Sequence, residues 1–381
     1  MDSKMIQGLL IATCVFLLVG IALTVSDVLQ YSGVEAAAPP RAAAPMPAAP
    51  AAAPVPAAAD IGLLKFAPAD SVAYLQVDVP KVLDAPIIKS FMPADAQIPD
   101  QVKQLDRMAL FFGPPKPGAQ PGAEQQAWTL LMKTKGKTLD QMRQELAAKG
   151  TKSTVEGTEV YTGRAPVQMM GPMGGAQQTV LIAPMDDATI LVAPDEAGLT
   201  QAIQTYRAGS GGKQFAEALS MAGQFGAAAV TGGLVITDEM KTAAQGAQPM
   251  PAWLTGATGG ALAVTLTNDL ETHGLLRLAT ADEAQNAAAA ATAKVNDFLQ
   301  QMANPQPGNF MVMMVQPFRP VIEKLKFTAD GADVHVSLIL TAADVKSLAD
   351  TFQKMQGAMG PPGTVGPPGT MGPPGTMPPQ P

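Results

Sequence analysis

The chain has 381 residues, 25 Lys and Arg against 32 Asp and Glu, and a formal net charge of −7. It has no basic cluster of the kind that follows a phosphate backbone, which speaks against nucleic acid as a partner. Its one cysteine, Cys14, leaves the rest of the chain without an intrachain disulfide, so stability has to come from core burial.

Residues 5–25, MIQGLLIATCVFLLVGIALTV, carry no charge. About 20 such residues suffice to cross a bilayer core as a helix. A cleavable signal peptide has a shorter apolar core and a cleavage site close behind it. Here the small-residue sites, after Ala36 or Ala38, lie beyond Asp27 and Tyr31. A retained single-span anchor is the expectation, with cleavage as the alternative. Cys14 sits inside the run, which does not suit a lipoprotein cysteine. Lys4 before the span, with Asp27 and Glu35 after it, favours residues 1–4 in the cytoplasm and the bulk of the chain outside.

Residues 26–59 form a linker whose later part, 36–59, holds 14 Ala and 7 Pro. Proline lacks a donor and fixes φ, so neither a stable helix nor a central strand is expected there. At about 3.1 Å per residue such a tract would reach on the order of 70 Å and hold a folded body away from the membrane.

Residues 60–356 read as that body, long enough to split into subdomains at 60–208 and 213–356, with the boundary in the turn 208–212. A strand is predicted at Val72–Val79 and ends at Pro80. A helical stretch follows around Val82–Phe91. Further strands are expected at Met108–Phe112 and Trp128–Lys133. A helix capped by Thr138 runs to Lys149, and Gly150 stops it. Residues 113–123 and 164–178 read as low-complexity loops.

A unit of strand, acidic turn, strand and capped helix then recurs. It appears at Thr179–Ala193 with a helix from Asp195, at Ala261–Ala279 with a helix from Ala281 to Met302, and at Lys324–Leu340 with a helix from Ala342 to Gln356. The last two align at an offset of 61, Thr267 with Thr328 and Thr280 with Thr341. A helix at Gln214–Gln224, a strand at Ala228–Ile236 and a helix from Asp238 complete the body. The expected fold class is α+β: antiparallel sheets with helices on one face, in two related subdomains behind a single N-terminal transmembrane helix.

Residues 357–381 place glycine at every third position over seven triplets, the register of a collagen triple helix. So short a run needs trimerisation supplied elsewhere. A disordered, polyproline-like tail is the expected state.

LKFAPADSVAYLQVDVPKVLDAPI at 64–87, the repeated hairpin-then-helix pattern and the anchor before them resemble a group of uncharacterised membrane-anchored exported bacterial proteins. That resemblance implies architecture only and carries no activity.

Candidate chemistry is sparse, and the expected sets of catalytic, cofactor-binding and metal-ligating residues are empty. The two histidines, His273 and His335, sit near matching positions of two repeats. Their one-residue mismatch in the alignment predicts opposite faces of their strands, which argues against a shared metal. Of the acidic pairs, Asp195-Glu196, Asp238-Glu239 and Asp282-Glu283 stand at predicted helix starts, where negative charge opposes the helix dipole; Asp186-Asp187 stands in a turn. Ser210 lies in GSGGK, where Arg207 and Gln214 occupy positions a phosphate loop needs as Gly and Ser/Thr. Met169, Met170 and Met173 offer soft thioethers suited to Cu(I), without His or Cys support. Met311, Met313 and Met314 lie on an apolar stretch and read as core fillers. The expected function is therefore a non-enzymatic envelope scaffold or binding module with a protein partner. The alternative is an extracytoplasmic ligand-binding protein taking copper or a small apolar molecule.

Overall fold

The computed structural model describes residues 62–91, 98, 100–114, 127–164, 179–238, 240–241, 256–303, 316–348 and 350. The anchor, the Ala/Pro linker, the glycine-repeat tail and most of both low-complexity loops lie outside the described residues. No described helix is long and apolar enough to cross a membrane.

A 3-10 turn at Gly62–Phe66 leads into β1 (Ala73–Asp78). Asp78 ends the strand and caps helix α1 (Val79–Asp84), accepting from Lys81 N at 3.1 Å, with Pro80 in the first turn where its missing N–H costs nothing. The predicted helix over 82–91 is two short ones, because Pro86 forces the residue before it out of helical geometry: α2 (Pro86–Phe91) starts afresh after Ala85. A single turn, α3 (Asp100–Lys103), precedes β2 (Leu105–Phe112) and β3 (Trp128–Thr134). Helix α4 (Leu139–Ala147) opens with a capping box in which Thr138 and Gln141 satisfy each other's backbone N–H groups.

The hairpin β4 (Lys152–Val155) and β5 (Thr158–Arg164) follows, and sequence reading passed it over. Next come β6 (Thr179–Asp186), β7 (Thr189–Ala193) and α5 (Glu196–Ala208), whose cap Asp195 accepts from Gly198 N at 2.7 Å. The remainder is α6 (Ala216–Gly223), β8 (Val230–Val235), β9 (Gly259–Leu266), β10 (Leu270–Arg277), α7 (Ala281–Ala303), α8 (Arg319–Ile322), β11 (Lys326–Asp330), β12 (Asp333–Leu340) and a helix over 342–348.

The twelve strands join one antiparallel sheet in the order β11-β12-β10-β9-β8-β1-β2-β3-β7-β6-β5-β4. The fold is α+β, but the plural sheets expected from the sequence are one continuous sheet. Outward from the β1–β8 pair the connectivity is the same in both directions. One arm runs β1-β2-β3-β7-β6 and the other β8-β9-β10-β12-β11. The β4–β5 hairpin, added outside β6, has no counterpart among the described residues.

Helices cover both faces, which corrects the expectation of one. Tyr74, Phe111, Leu131, Leu191 and Leu275 point to the face packed by Leu199, Ala202 and Ile203 of α5 and by Ala218 and Met221 of α6. Their neighbours along the same strands point the other way. Val77, Val230, Val264 and Leu270 meet Ile87 and Ile88 of α2 and Val321 of α8, and Val334 meets Ala284, Ala287 and Ala288 of α7. Strands at a sheet centre that are apolar on both sides cannot show clean alternation, so the one-faced expectation failed where alternation was weakest. The two Gly of β8 belong to this packing. A Cβ on Gly233 would come 2.3 Å from Tyr74 Cε1 and 2.7 Å from Ala218 Cβ, so only glycine lets the Tyr74 ring and α6 close on the sheet.

Candidate functional site

The two histidines share a face, contrary to the sequence expectation. His273 stands opposite Ser337, and Leu275 stands opposite His335, so positions 273 and 335 project to the same side of β10 and β12. The error came from aligning repeats. β10 and β12 are antiparallel neighbours, and pairing register, not position within a repeat, decides which way a side chain points.

Phe225, two residues past α6, joins them. Its ring stacks on His273 with centroids 5.0 Å apart and an interplanar angle of 11°. It meets His335 edge-on at 6.3 Å. Glu271 lies 3.7 Å from His273 Nε2. Arg277 fixes the frame around these rings. Its Nε and Nη2 donate to Asp333 Oδ1 and Oδ2, both at 2.7 Å, and Nη1 donates to Glu217 Oε1 on α6 at 2.8 Å. The hydrogen bonds to Asp333 raise the guanidinium pKa further, against the pull of partial burial. This triad ties α6, and hence Phe225, to β10 and β12. Nothing in sequence spacing joins 217, 277 and 333, so it escaped sequence reasoning. Among the described residues no three His, Cys, Asp or Glu side chains are grouped to hold a metal.

The acidic pairs are spread over the fold. Asp195 caps α5. Thr280 and Glu283 form a reciprocal cap at the start of α7, each backbone N–H donating to the other side chain at 3.2 Å. Asp186 accepts from Ala188 N at 2.8 Å and from the Tyr206 hydroxyl, and Asp187 accepts from Leu139 N at 2.7 Å. Asp238 pairs with Lys241 at 3.7 Å, and Glu239 lies outside the described residues. The GSGGK segment packs against the opening turn: Gly211 N donates to Lys65 O at 2.7 Å, and a Cβ on Gly212 would sit 2.1 Å from Leu64 O. Met169, Met170, Met173, Met311, Met313 and Met314 lie outside the described residues.

The sheet ends differ. The β4 end is four residues long, and Lys152 at its start is held by Glu159 at 2.5 Å. At the β11 end a cavity of about 310 Å³ opens between the strand and α7, with Val295, Leu299, Leu325 and Phe327 as its apolar lining. Among the described residues one buried hydroxyl is orphaned: Tyr74, 3% exposed, has no hydrogen-bond partner there for its Oη, and burial raises its pKa far above the ordinary phenol range.

No protein-family model matches the chain, and no curated protein matches it. Among solved structures, crystal form III of TP0453 aligns with a TM-score of 0.38 and 9% identity, over 76% of this chain and 97% of that one. Crystal form I aligns with a TM-score of 0.35 and 10% identity, over 78% and 98%. Likeness at that level does not establish a shared fold.

Proposed function

We propose that the chain is a non-enzymatic envelope protein: a single-span anchor, a stiff Ala/Pro spacer and an α+β body displayed outside the cytoplasm as a scaffold or binding module. The observation that carries this reading is the uncharged run at 5–25 followed by the Ala/Pro tract at 36–59. An apolar span of that length holds to a bilayer by burial, and the tract behind it sets the body at a distance. The two arms of the body are related subdomains, a reading supported by their identical outward strand order. A large sheet whose acidic groups include helix caps at Asp78 and Asp195 and the Arg277 clamp at Asp333 suits binding through surfaces better than turnover at a pocket.

Fractionation tests the reading. Full-length protein is expected to stay with membranes through high-salt and carbonate washes. Protease added to cells with a permeabilised outer layer is expected to remove the body. Recovery of a soluble species starting near residue 37, or a body protected from protease until the inner membrane is lysed, would refute it.

A further inference from the structure

Among the described residues β11 has a strand on one side only, β12. The phase of its backbone follows from one bond. Leu278 N donates to Ala332 O at 2.9 Å, so the even positions of β12 turn their N–H and C=O toward β10 and the odd positions toward β11. Asp333, His335 and Ser337 face Asp330, Thr328 and Lys326. These three β11 residues therefore bond inward, and Phe327 and Ala329 turn their N–H and C=O groups out to the free side.

Such an edge invites another strand. Its side chains set what that strand must be. Lys326, Thr328 and Asp330 are exposed on one face, while Phe327 and Ala329 are half-buried on the face that α7 covers. The added strand has to be polar on the first face and apolar on the second. Residues 310–315, FMVMMV, are apolar at every position and would set three apolar side chains in water. Lys326-Phe-Thr-Ala-Asp330 meets the requirement itself. Neither Lys326 nor Asp330 has an ion-pair partner among the described residues.

We propose that β11 pairs antiparallel with β11 of a second copy, centred on Thr328. In that register Phe327 stands opposite the partner's Ala329, and Ala329 opposite the partner's Phe327. All the outward backbone groups of both residues are then bonded. Lys326 stands opposite the partner's Asp330, and Asp330 opposite the partner's Lys326, so the same charge pair forms twice across a two-fold axis. The cavity beside α7 opens at this edge, and the second copy closes its mouth. The β4 edge lacks this self-complementarity, since its lysine is already paired within the chain. This inference stands apart from the anchor reading, because it concerns only the body.

Charge-swap variants of detergent-solubilised full-length protein, weighed by light scattering, decide it. Wild type is expected at twice the chain mass of 39.2 kDa. K326D and D330K each put like charges opposite one another at both ends and are expected to weaken the dimer by about tenfold or more. The double variant K326D/D330K restores complementarity and dimerises. An equimolar mixture of K326D and D330K also dimerises, through a mixed pair. Both positions are exposed, so the far-UV spectrum of the folded protein is expected to be unchanged. A monomeric wild type, or a dimer indifferent to both single substitutions, would overturn the proposal.

Discussion

Tyr74 supplies a test in which a deletion should stabilise. Its ring lies at the sheet centre, edge-on to Phe215 at 4.9 Å, and it is 3% exposed. Its hydroxyl has no partner among the described residues. Leaving a buried donor unsatisfied costs about 1–3 kcal/mol, whereas a ring without the oxygen has nothing left to satisfy. Tyr74→Phe gives back part of that cost and loses the dispersion contacts of one oxygen, for a net gain of about 1 kcal/mol. In a body of this size that is about 2 °C or a little more in Tm. Differential scanning calorimetry of the full chain, wild type beside variant, measures it. A fall in Tm of 2 °C or more would show that the hydroxyl is bonded and refute the reasoning.

Three further outcomes follow from named contacts. Gly233→Ala drives a methyl to 2.3 Å from the Tyr74 ring and 2.7 Å from Ala218, and should destabilise by about 1–3 kcal/mol in chemical denaturation; an unchanged midpoint would mean that α6 does not sit where it is placed. Asp344 accepts from Lys324 Nζ and from Thr341, and the lysine bond first, then the threonine bonds, hold its carboxyl below the ordinary range. A depressed carboxylate contributes stability that is fully present above its unfolded pKa of about 4 and is lost as pH falls through the folded value. Asp344→Asn should therefore cost more stability at pH 7 than in acid, and urea midpoints that fall equally at both would contradict the assignment. Deleting 357–381 should leave the particle mass in detergent unchanged, because seven Gly-X-Y triplets are too few to hold three chains; a loss of two-thirds of the protein mass would identify the tail as the assembly element.

Local chemistry was legible in the sequence wherever a short segment settles its own geometry. Thr138 before an amphipathic run, Pro80 after an alternating strand and Asp195 before a helix are each resolved within a few residues, and each is where it was expected. The β4–β5 hairpin was missed because KSTV and TEVYTGR carry few large aliphatic residues. Its turn at Glu156-Gly157 is marked mainly by backbone geometry, φ 51° at Glu156 and 70° at Gly157. Whatever depended on pairing between distant strands was lost. The face of His335, the Arg277–Asp333–Glu217 clamp and the coverage of both faces are set by register across the sheet, and a single sequence does not contain register.

The repeat visible in the sequence and the symmetry visible in the sheet are different things, and the difference leaves β11, among the described residues, without the hairpin that covers its counterpart β6. By sequence the hairpins β6–β7, β9–β10 and β11–β12 all read as copies of one unit, and the last two align at an offset of 61. By topology β11–β12 occupies the place of β6–β7, each pair returning beside the third strand of its arm with the penultimate strand outermost. In the first arm the stretch between α4 and β6 supplies β4 and β5, so β6 is covered, and the new edge is short and already charge-paired. In the second arm no described strand stands outside β11, and its two end charges are opposite and unspent. An arm built to the same plan but lacking the hairpin exposes the strand its twin protects. A sheet with one blunted and one self-complementary edge stops growing at two copies, since an antiparallel edge pairing about a two-fold consumes both open edges at once. That closure separates a defined dimer from a filament, and it is why the β11 charges, rather than the glycine-repeat tail, are the first place to look for assembly.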